Sequence, residues 1–383
     1  MIILGKDIED KNIFKVLLFI WIMSIPFKNA IYQISVVTII VFFIFYLIKI
    51  KNFNILIENL KSSIYLLFGF IAIILSMITS NLLSLEYLDD KSWHIIHMFI
   101  IRYGLIFVIL AYFYRLDFFS KKEIISAVLF SLTFLMFTGL YEVIQNINIL
   151  SNIGITGTLD NRNAFGLFMG MGVVLSLLIM KDYKLLGLGL VLMFSFFMIF
   201  SFSRSSWVAS ICSIFILFIL NYKKIKMIHL VYLIVFLLFI VFLYLNFDSF
   251  QNRFSQLISG HSSKRIEIWV NTLNLIEQNF LFGYGIDSWK NLPDLYLIKF
   301  PDPHNLILEI LIYTGIIGLL ACLFTISVVI IKIIATEKFI LLPIASYFLI
   351  VTQFDFGAFG SKELLSFLTI FVFLIYSDEF KKI

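Results

Sequence analysis

The stretch Pro301–Leu320, PDPHNLILEILIYTGIIGLL, indicates what kind of fold the chain adopts. It places His304 and Asn305 at the start of an apolar run that continues to about residue 331. The residues before it, 247–303, form the largest polar segment of an otherwise apolar chain. Polar and ionisable groups at membrane depth are costly and usually functional. The stretch therefore predicts a membrane-spanning helix whose first residues carry out chemistry.

The composition is that of an integral membrane protein. Of the 383 residues, 61% are hydrophobic and 14% are charged, whereas a soluble domain carries roughly 25% charged residues. The apolar runs are continuous rather than alternating, which predicts helices and excludes a β-barrel. We expect an all-α polytopic membrane protein, a single domain over residues 1–383 with about 12 transmembrane helices of about 20 residues. These helices are predicted at residues 12–25, 31–48, 62–79, 94–114, 124–144, 162–180, 184–201, 205–220, 228–246, 304–331, 338–354 and 363–376.

The basic residues predict the orientation of these helices. If the N-terminus is cytoplasmic, the inner loops hold most of the lysines and arginines, and the short outer loops hold few. Cytoplasmic loops of membrane proteins are enriched in both residue types. We therefore expect both termini in the cytoplasm and segment 247–303 as one large loop on the outer side.

Several classes of function are disfavoured by the same sequence. Cys212 and Cys322 lie within apolar runs, where a cysteine is usually a small buried hydrophobic residue. The net charge of +5 is spread over short loops, so we expect no nucleic-acid partner. The outer segments contain neither an Asp-x-Asp-type pair nor a nucleotide-binding glycine loop, so we expect no metal and no cofactor.

Six basic residues do not fit the inner-loop pattern. They fall in the outer half of helices or in outer loops, at Arg102, Arg162, Arg204, Arg253, Lys264 and Arg265. A shared anionic ligand is the simplest explanation, because guanidinium groups match phosphate geometry. Solvated loop charges remain an alternative for Arg253 and Lys264. For Arg204 the alternative is a snorkelling interface arginine, with Trp207 in the aromatic belt.

Two short segments place arginines at helix starts. In GTLDNRNAFGLFMGMG, residues 157–172, Asp160 or Asn161 is expected to cap a helix that begins near Arg162. An arginine is unfavourable at this positive end of the helix dipole, so capping does not explain it. In SFSRSSW, residues 201–207, we expect a tight turn that projects Arg204 and several hydroxyls into an outer cavity.

Segment 261–285, HSSKRIEIWVNTLNLIEQNFLFGYG, predicts an amphipathic helix on the membrane surface. Apolar residues recur at helical spacing from Ile266 to Ile276. Ser262 or Ser263 is expected to cap it. Arg265 falls in its first turn, where a structural charge would be acidic, so backbone amides and this arginine predict an anion site.

His304 and Arg102 are the remaining candidates. His304 begins a helix at the rim of the predicted outer cavity, and a neutral imidazole can accept a proton near neutral pH. We therefore expect it to be a general base. Arg102 lies about two turns below the outer boundary. An ion pair with Glu142 and a ligand role both remain open for it.

Three segments resemble the O-antigen ligase and polymerase superfamily of bacterial envelope glycosyltransferases. SFSRSSW is similar to the family's Ser-Arg-aromatic turn, and KRIEIWVNTLNLIEQNFLFGYGIDSW to its Arg-x-x-x-Trp helix and Gly-x-Gly turn. PHNLILEILIYTGIIGLL is similar to its His-Asn helix. NRNAFG resembles a further family segment. The motifs lie in the second half of the chain, and their order and spacing carry the resemblance.

The resemblance implies a GT-C-type glycosyltransferase in the bacterial inner membrane, with its active site facing the periplasm. The donor would be a glycan on undecaprenyl diphosphate. The acceptor would be lipid A–core for a ligase, or another lipid-linked repeat for a polymerase. The family roles fall on Arg204 and Arg265 as diphosphate contacts and on His304 as the base. We add Arg162, Asn163, Arg102, Asn305 and Trp269 as candidate substrate-binding residues.

Other functions explain the sequence less well. A lipid-linked oligosaccharide flippase would normally show repeat halves, and no such internal symmetry is visible. A scaffolding protein would need neither the outer arginines nor a histidine at the rim. Between the two enzymes, the short loop and modest size favour the ligase, transferring the glycan with inversion and without a metal. The polymerase remains the alternative.

Overall fold

The computed structural model describes residues 2–27, 29–150, 153–180, 182–222, 227–259, 264–292, 300, 302–354, 359 and 361–381. All regular secondary structure within these ranges is helical. The α-helices are α1 (Ile2–Ser24), α2 (Asn29–Ile50), α3 (Phe53–Ser62), α4 (Ile64–Leu83), α5 (Asp90–Phe99), α6 (Ile106–Arg115), α7 (Lys121–Gln145), α8 (Arg162–Ile179), α9 (Lys184–Phe200), α10 (Arg204–Leu220), α11 (Met227–Asn246), α12 (Asp248–Ile258), α13 (Arg265–Gln278), α14 (Leu306–Ala335), α15 (Leu342–Val351) and α16 (Lys362–Tyr376).

Every predicted span corresponds to a helix, and most boundaries agree within a few residues. The largest difference is at α1, which begins about ten residues earlier than predicted. Two short helices were not predicted, α3 and α12. Both are amphipathic rather than fully apolar, so a search for apolar runs does not find them.

The structure supports a polytopic helical membrane protein but not the count of 12 spans. Six helices in the described part are long and apolar enough to cross a membrane, namely Asn29–Ile50, Ile64–Leu83, Asp90–Arg115, Lys121–Gln145, Arg162–Ile179 and Leu306–Ala335. Others are apolar but shorter, including α9 and α10. The larger count stays a prediction.

The chain forms two compact units. The first comprises Met1–Val128, Lys264–Glu337 and Phe356–Ile383, and the second comprises Leu129–Ser263 and Lys338–Asp355. In the first unit, α4 and α13 pack against α14 around a core that includes Tyr284, Trp289 and Ile312. In the second, α8 packs against α9, α10 and α15.

Ion pairs join several helix ends of the first unit. Arg115 pairs with Glu58, and Lys332 lies 3.1 Å from a carboxylate oxygen of Glu379. Further pairs are Lys121–Asp378 and Lys381–Asp117. All of these residues fall in or next to loops predicted to face the cytoplasm. The structure pairs them within the first unit, and the side of the membrane that they face stays a prediction.

Helix α14 is broken at Gly315, whereas the sequence predicted an uninterrupted helix. Gly315 has φ 63° and ψ −165°, and a Cβ there would overlap the carbonyl oxygen of Leu281. The freed backbone groups pair with segment 280–285, because Tyr284 N donates to Ile312 O at 2.7 Å and Ile316 N donates to Phe280 O at 2.9 Å. In a membrane such groups must be satisfied internally. This pairing fixes the LFGYG turn against α14.

Candidate active site

Three arginines come together in the second unit. Arg162 is the first residue of α8, Arg204 is the first residue of α10, and Arg253 lies in the middle of α12. Each is half-buried. Arg204 Nη1 donates to the carbonyl oxygen of Gln256 at 3.2 Å, and Arg253 Nη1 donates to the side-chain Oε1 of the same residue at 3.1 Å. Arg162 Nη1 donates to Ile153 O at 3.2 Å. Gln256 therefore connects two of the three guanidinium groups.

The electrostatics of this group favour an anion. Burial lowers the pKa of Arg253, and the positive charges of Arg162 and Arg204 lower it further. Two of the arginines also stand at helix N-termini, where the helix dipole adds partial positive charge. Bringing like charges together costs free energy that a bound phosphate would offset.

The turn between α9 and α10 holds Arg204 in place. It has three residues, Ser201, Phe202 and Ser203, and all are buried. Gly166 lets α8 approach this turn, because a Cβ there would overlap Ser201 Oγ. The tight turn predicted from the sequence is confirmed, and Arg204 begins the helix that follows it.

The predicted hydroxyls next to Arg204 are buried and contact one another. Ser203 Oγ lies 2.8 Å from Ser206 Oγ and 3.0 Å from Ser205 Oγ, and all three residues are buried. Trp207 is also buried and donates from Nε1 to Met198 O at 3.2 Å, so it does not belong to an interfacial belt. These residues pack the unit beneath Arg204.

Of the two predicted caps, Asp160 and Asn161, it is Asn161 that caps α8. Its side chain accepts hydrogen bonds from Asn163 N at 2.9 Å and Ala164 N at 3.2 Å. Asp160 precedes it in the left-handed region, with φ 53°. The backbone of Asn163 thus takes part in the cap, next to Arg162.

In the first unit, His304 occupies a constrained turn before α14. Its φ is 51°, a left-handed conformation that is uncommon for residues other than glycine, although asparagine, aspartate and histidine adopt it more often than the rest. Asp302 Oδ1 accepts a hydrogen bond from His304 N at 2.7 Å. Asn305 caps α14, since its Oδ1 accepts from Leu308 N at 3.0 Å. The side chain of His304 is 24% exposed, so it is held at a surface rather than sealed in the core.

Asp302 also faces the imidazole of His304. Its Oδ1 lies 2.9 Å from His304 Nδ1. The contact is close enough for a hydrogen bond, but it is not aligned as one. A carboxylate beside Nδ1 favours the tautomer that carries a proton there and leaves Nε2 as the proton acceptor.

Helix α13 supports the His304 turn through Trp269. The indole Nε1 donates to Pro303 O at 3.1 Å. One face of α13 is buried, at Ile268, Thr272, Leu275 and Ile276, whereas the apolar residues Ile266, Val270 and Leu273 are exposed. That uncovered apolar face agrees with the predicted surface helix.

Arg265 is the first residue of α13 and is half-buried. The residue before it, Lys264, takes a left-handed conformation and provides no side-chain cap. The predicted caps Ser262 and Ser263 lie outside the described residues. An arginine thus occupies the first position of this helix, as the sequence indicated, and Glu267 follows in the same turn.

Arg102 lies in a six-residue π-helix, Ile100–Leu105, between α5 and α6. Such insertions are frequent at functional sites. Its guanidinium carbon is 5.5 Å from the ring centre of Tyr32, which Lys362 Nζ also approaches at 5.4 Å. A cation–π contact with Tyr32 thus stabilises the position of Arg102.

Glu142 is the other partner considered for Arg102. It accepts hydrogen bonds from residues of the second unit. Its Oε2 accepts from Thr156 N at 2.9 Å and Gly157 N at 2.7 Å, and its Oε1 accepts from Thr156 Oγ1 at 3.1 Å. This carboxylate therefore holds the loop that leads into α8.

Residues 188–323 match the family described as O-antigen ligase. The predicted resemblance to the O-antigen ligase and polymerase superfamily is thereby confirmed. No curated protein matches the chain. The match includes Arg204, Arg265, Trp269, His304 and Asn305. Residues Arg162, Asn163 and Arg102 lie outside it, so their roles rest on the sequence and the structure alone.

The matched segment also contains two residues that the sequence pattern does not single out, Gln256 and Asp302. For Arg253 the sequence favours a shared anionic ligand and leaves a solvated charge as the alternative. The spacing of Phe250, Phe254 and Leu257 is helical and could have indicated α12.

Replacing Asp302 by asparagine is expected to lower glycan transfer without unfolding the turn before α14. Asparagine retains an acceptor for His304 N but removes the carboxylate that lies 2.9 Å from Nδ1, and this carboxylate favours the tautomer with its acceptor at Nε2. The measurements are the initial rate of transfer and the melting temperature of the variant. A wild-type rate would reduce Asp302 to a support for the turn.

Proposed function

We propose that the chain is an O-antigen ligase of the bacterial inner membrane. It transfers a glycan from undecaprenyl diphosphate to lipid A–core at the periplasmic face. The observation that carries the proposal is His304 at the mouth of α14, with Asp302 Oδ1 2.9 Å from its Nδ1. The match of residues 188–323 to the O-antigen ligase family supports it.

In the proposed reaction, His304 accepts the proton of an acceptor sugar hydroxyl. The hydroxyl oxygen attacks the anomeric carbon from the side opposite the diphosphate and forms the new glycosidic bond. The bond from that carbon to the diphosphate oxygen breaks, and its electron pair leaves with undecaprenyl diphosphate. The anomeric configuration is inverted. A positioned general base of this kind contributes about 10²–10⁴-fold to rate.

Arg204 and Arg265 are assigned to the diphosphate. As the glycosidic bond breaks, negative charge grows on the leaving oxygen, and guanidinium donors stabilise that charge. Both residues begin helices, so backbone amides add to the effect. Arg162, Asn163, Arg102, Asn305 and Trp269 remain proposed substrate contacts. The proposed step requires no metal and no cofactor.

A polymerase would carry out the same chemistry with a different acceptor, a second lipid-linked repeat unit. The family match supports both enzymes alike. Purified protein in detergent should therefore be given lipid-linked donor with lipid A–core in one reaction and donor alone in another. Transfer to lipid A–core supports the ligase, chain extension of the donor supports the polymerase, and the absence of both contradicts the proposal. Activity is expected to survive EDTA, and sensitivity to the chelator would overturn the metal-free step.

Labelling with a membrane-impermeant thiol reagent is expected to place position 259 on the periplasmic side and position 224 on the cytoplasmic side. The reason is the bias of lysines and arginines toward the inner loops; residues 223–226 lie outside the described residues, so only the sequence supports their side. Single cysteines at the two positions, in a Cys212→Ala, Cys322→Ala background, should be labelled in intact spheroplasts. Labelling at 224 but not at 259 would reverse the orientation and remove the periplasmic site.

A further inference from the structure

Helix α7 carries a groove in the second unit that the proposed mechanism does not use. The groove has a volume of about 540 Å³ and is lined by one face of the helix, from Phe134 to Asn146, and by the loop that precedes α8. From Phe134 to the end of α7 at Gln145 is about 16 Å at 1.5 Å per residue. This is about half the 30 Å thickness of the hydrocarbon core of a bilayer. Because α7 is long and apolar enough to cross a membrane, the groove covers the depth of one leaflet.

The lining changes from apolar to polar along the helix. Phe134 and Phe137 lie at the apolar end, and these residues are 42% and 51% exposed. Tyr141, Glu142 and Gln145 follow within the last two turns of α7. Such a gradient matches an amphiphile whose acyl chain lies along the rings and whose headgroup reaches the polar end, at the level of the membrane interface.

Glu142 places a carboxylate in the polar end of this groove. Its oxygens accept hydrogen bonds from Thr156 N, Thr156 Oγ1 and Gly157 N, all of which are neutral donors, and Oε1 accepts only one of the three. Within the described part of the chain, no ion pair includes Glu142 and no basic residue lines the groove. An ionisable side chain at membrane depth usually has an oppositely charged partner or marks a binding site. The carboxylate therefore suits a ligand that carries a cationic group with hydrogen-bond donors.

We propose that this groove binds one molecule of phosphatidylethanolamine from the surrounding membrane. The ammonium group of the lipid, with its three N–H donors, contacts Glu142 Oε1 and the ring of Tyr141, which is 65% exposed. The side-chain amide of Gln145 donates to the lipid phosphate, and one acyl chain lies along Phe134 and Phe137. Phosphatidylglycerol has no cation for the carboxylate, and the quaternary ammonium of phosphatidylcholine has no N–H to donate. The proposal does not depend on glycan transfer.

The test uses the full chain, purified in detergent and stripped of lipid, and counts bound lipids by native mass spectrometry. The protein is incubated with equimolar phosphatidylethanolamine, phosphatidylglycerol and phosphatidylcholine. We expect the wild type to retain one phosphatidylethanolamine in preference to the other two lipids. Glu142→Gln is expected to lower that preference by about tenfold, the effect of losing one hydrogen bond between charged groups.

Gln145→Lys separates lipid binding from the fold, because Glu142→Gln also replaces an acceptor of the loop. The new lysine stands one turn from Glu142 on the same helix face and supplies the cation from within the chain, while Glu142 keeps its hydrogen bonds to the loop. We expect the preference for phosphatidylethanolamine to fall by a similar factor, with a melting temperature without lipid equal to or above that of the wild type. Gln278→Lys is the matched control, because it adds the same charge at the exposed end of α13 in the first unit; its lipid preference should equal that of the wild type.

Three outcomes would overturn the proposal. They are no preference for phosphatidylethanolamine in the wild type, an unchanged preference in both Glu142→Gln and Gln145→Lys, and an equal loss in Gln278→Lys. A neutral glycolipid is the other occupant that a carboxylate and an amide suit, through its sugar hydroxyls. If equimolar diglucosyl diacylglycerol displaces phosphatidylethanolamine from the wild type, the groove recognises hydroxyl groups rather than an ammonium group, which contradicts the proposal.

Discussion

Replacing His304 by alanine is expected to abolish detectable glycan transfer while leaving donor binding nearly intact. The proposed role is removal of a proton from the acceptor hydroxyl, which affects the chemical step rather than the affinity for the donor. Loss of a general base lowers rate by about 10²–10⁴-fold. The measurement is transfer from purified lipid-linked donor to acceptor in detergent, at several pH values. In the wild type, transfer should decline as the pH falls through the range in which histidines titrate, because a protonated imidazole cannot accept the proton.

The left-handed turn at His304 complicates the alanine variant. Alanine adopts the left-handed conformation of this position, φ 51°, less readily than histidine or asparagine does, so a displaced turn would also lower activity. His304→Asn removes this ambiguity, because asparagine tolerates that conformation and cannot act as the base. Both variants should be inactive, and the asparagine variant should retain the melting temperature of the wild type.

His261→Ala is the control within the same predicted loop. It removes a second imidazole, at a position outside the described residues, and is expected to have a mild effect. Near wild-type turnover by His304→Asn would contradict the assignment of the base. Equal losses in His261→Ala and His304→Ala would show that transfer is sensitive to any change in this loop.

The helices could be predicted because their signal is local. A run of about 20 apolar residues gives a span wherever it falls, so each predicted span corresponds to an observed helix. The break at Gly315 has no such signal. It depends on the pairing of the Ile312 and Tyr313 carbonyls with Tyr284 and Gly285, residues about thirty positions away, and the apolar pattern is the same on both sides of the glycine.

Some residues of the candidate site could likewise be identified from the sequence, and others only from the structure. His304 and Arg265 could be selected because each is anomalous at its own position, a histidine at a helix mouth and a cation at a positive helix end. For Arg253 the sequence left a solvated loop charge open as an alternative, because a basic residue is ordinary in a polar loop. Its place beside other arginines appears only when α12 docks through Phe250 and brings it toward Arg162 and Arg204. The proximity of these arginines therefore depends on the packing of separate helices, which no short stretch of sequence shows.

Arg204→Lys and Arg265→Lys are each expected to lower glycan transfer by about 10–100-fold, the effect of losing one strong hydrogen bond to a charged group. Lysine preserves the charge but not the planar, two-pronged donor that matches a phosphate. Because negative charge develops on the diphosphate as the glycosidic bond breaks, the loss should fall mainly on kcat rather than on KM. The measurement is steady-state transfer with varied donor concentration.

Arg115→Lys is the matched control for both substitutions. Arg115 pairs with Glu58, at the end of the first unit predicted to face the cytoplasm, and a lysine can retain that pair. We expect unchanged kcat and KM in this variant. Arg204 contacts a backbone carbonyl that lysine can also reach, so the yield and melting temperature of Arg204→Lys should stay close to those of the wild type. If the double variant Arg204→Lys, Arg265→Lys transfers glycan at the wild-type rate, the two arginines anchor the chain at the membrane interface and the diphosphate is held elsewhere.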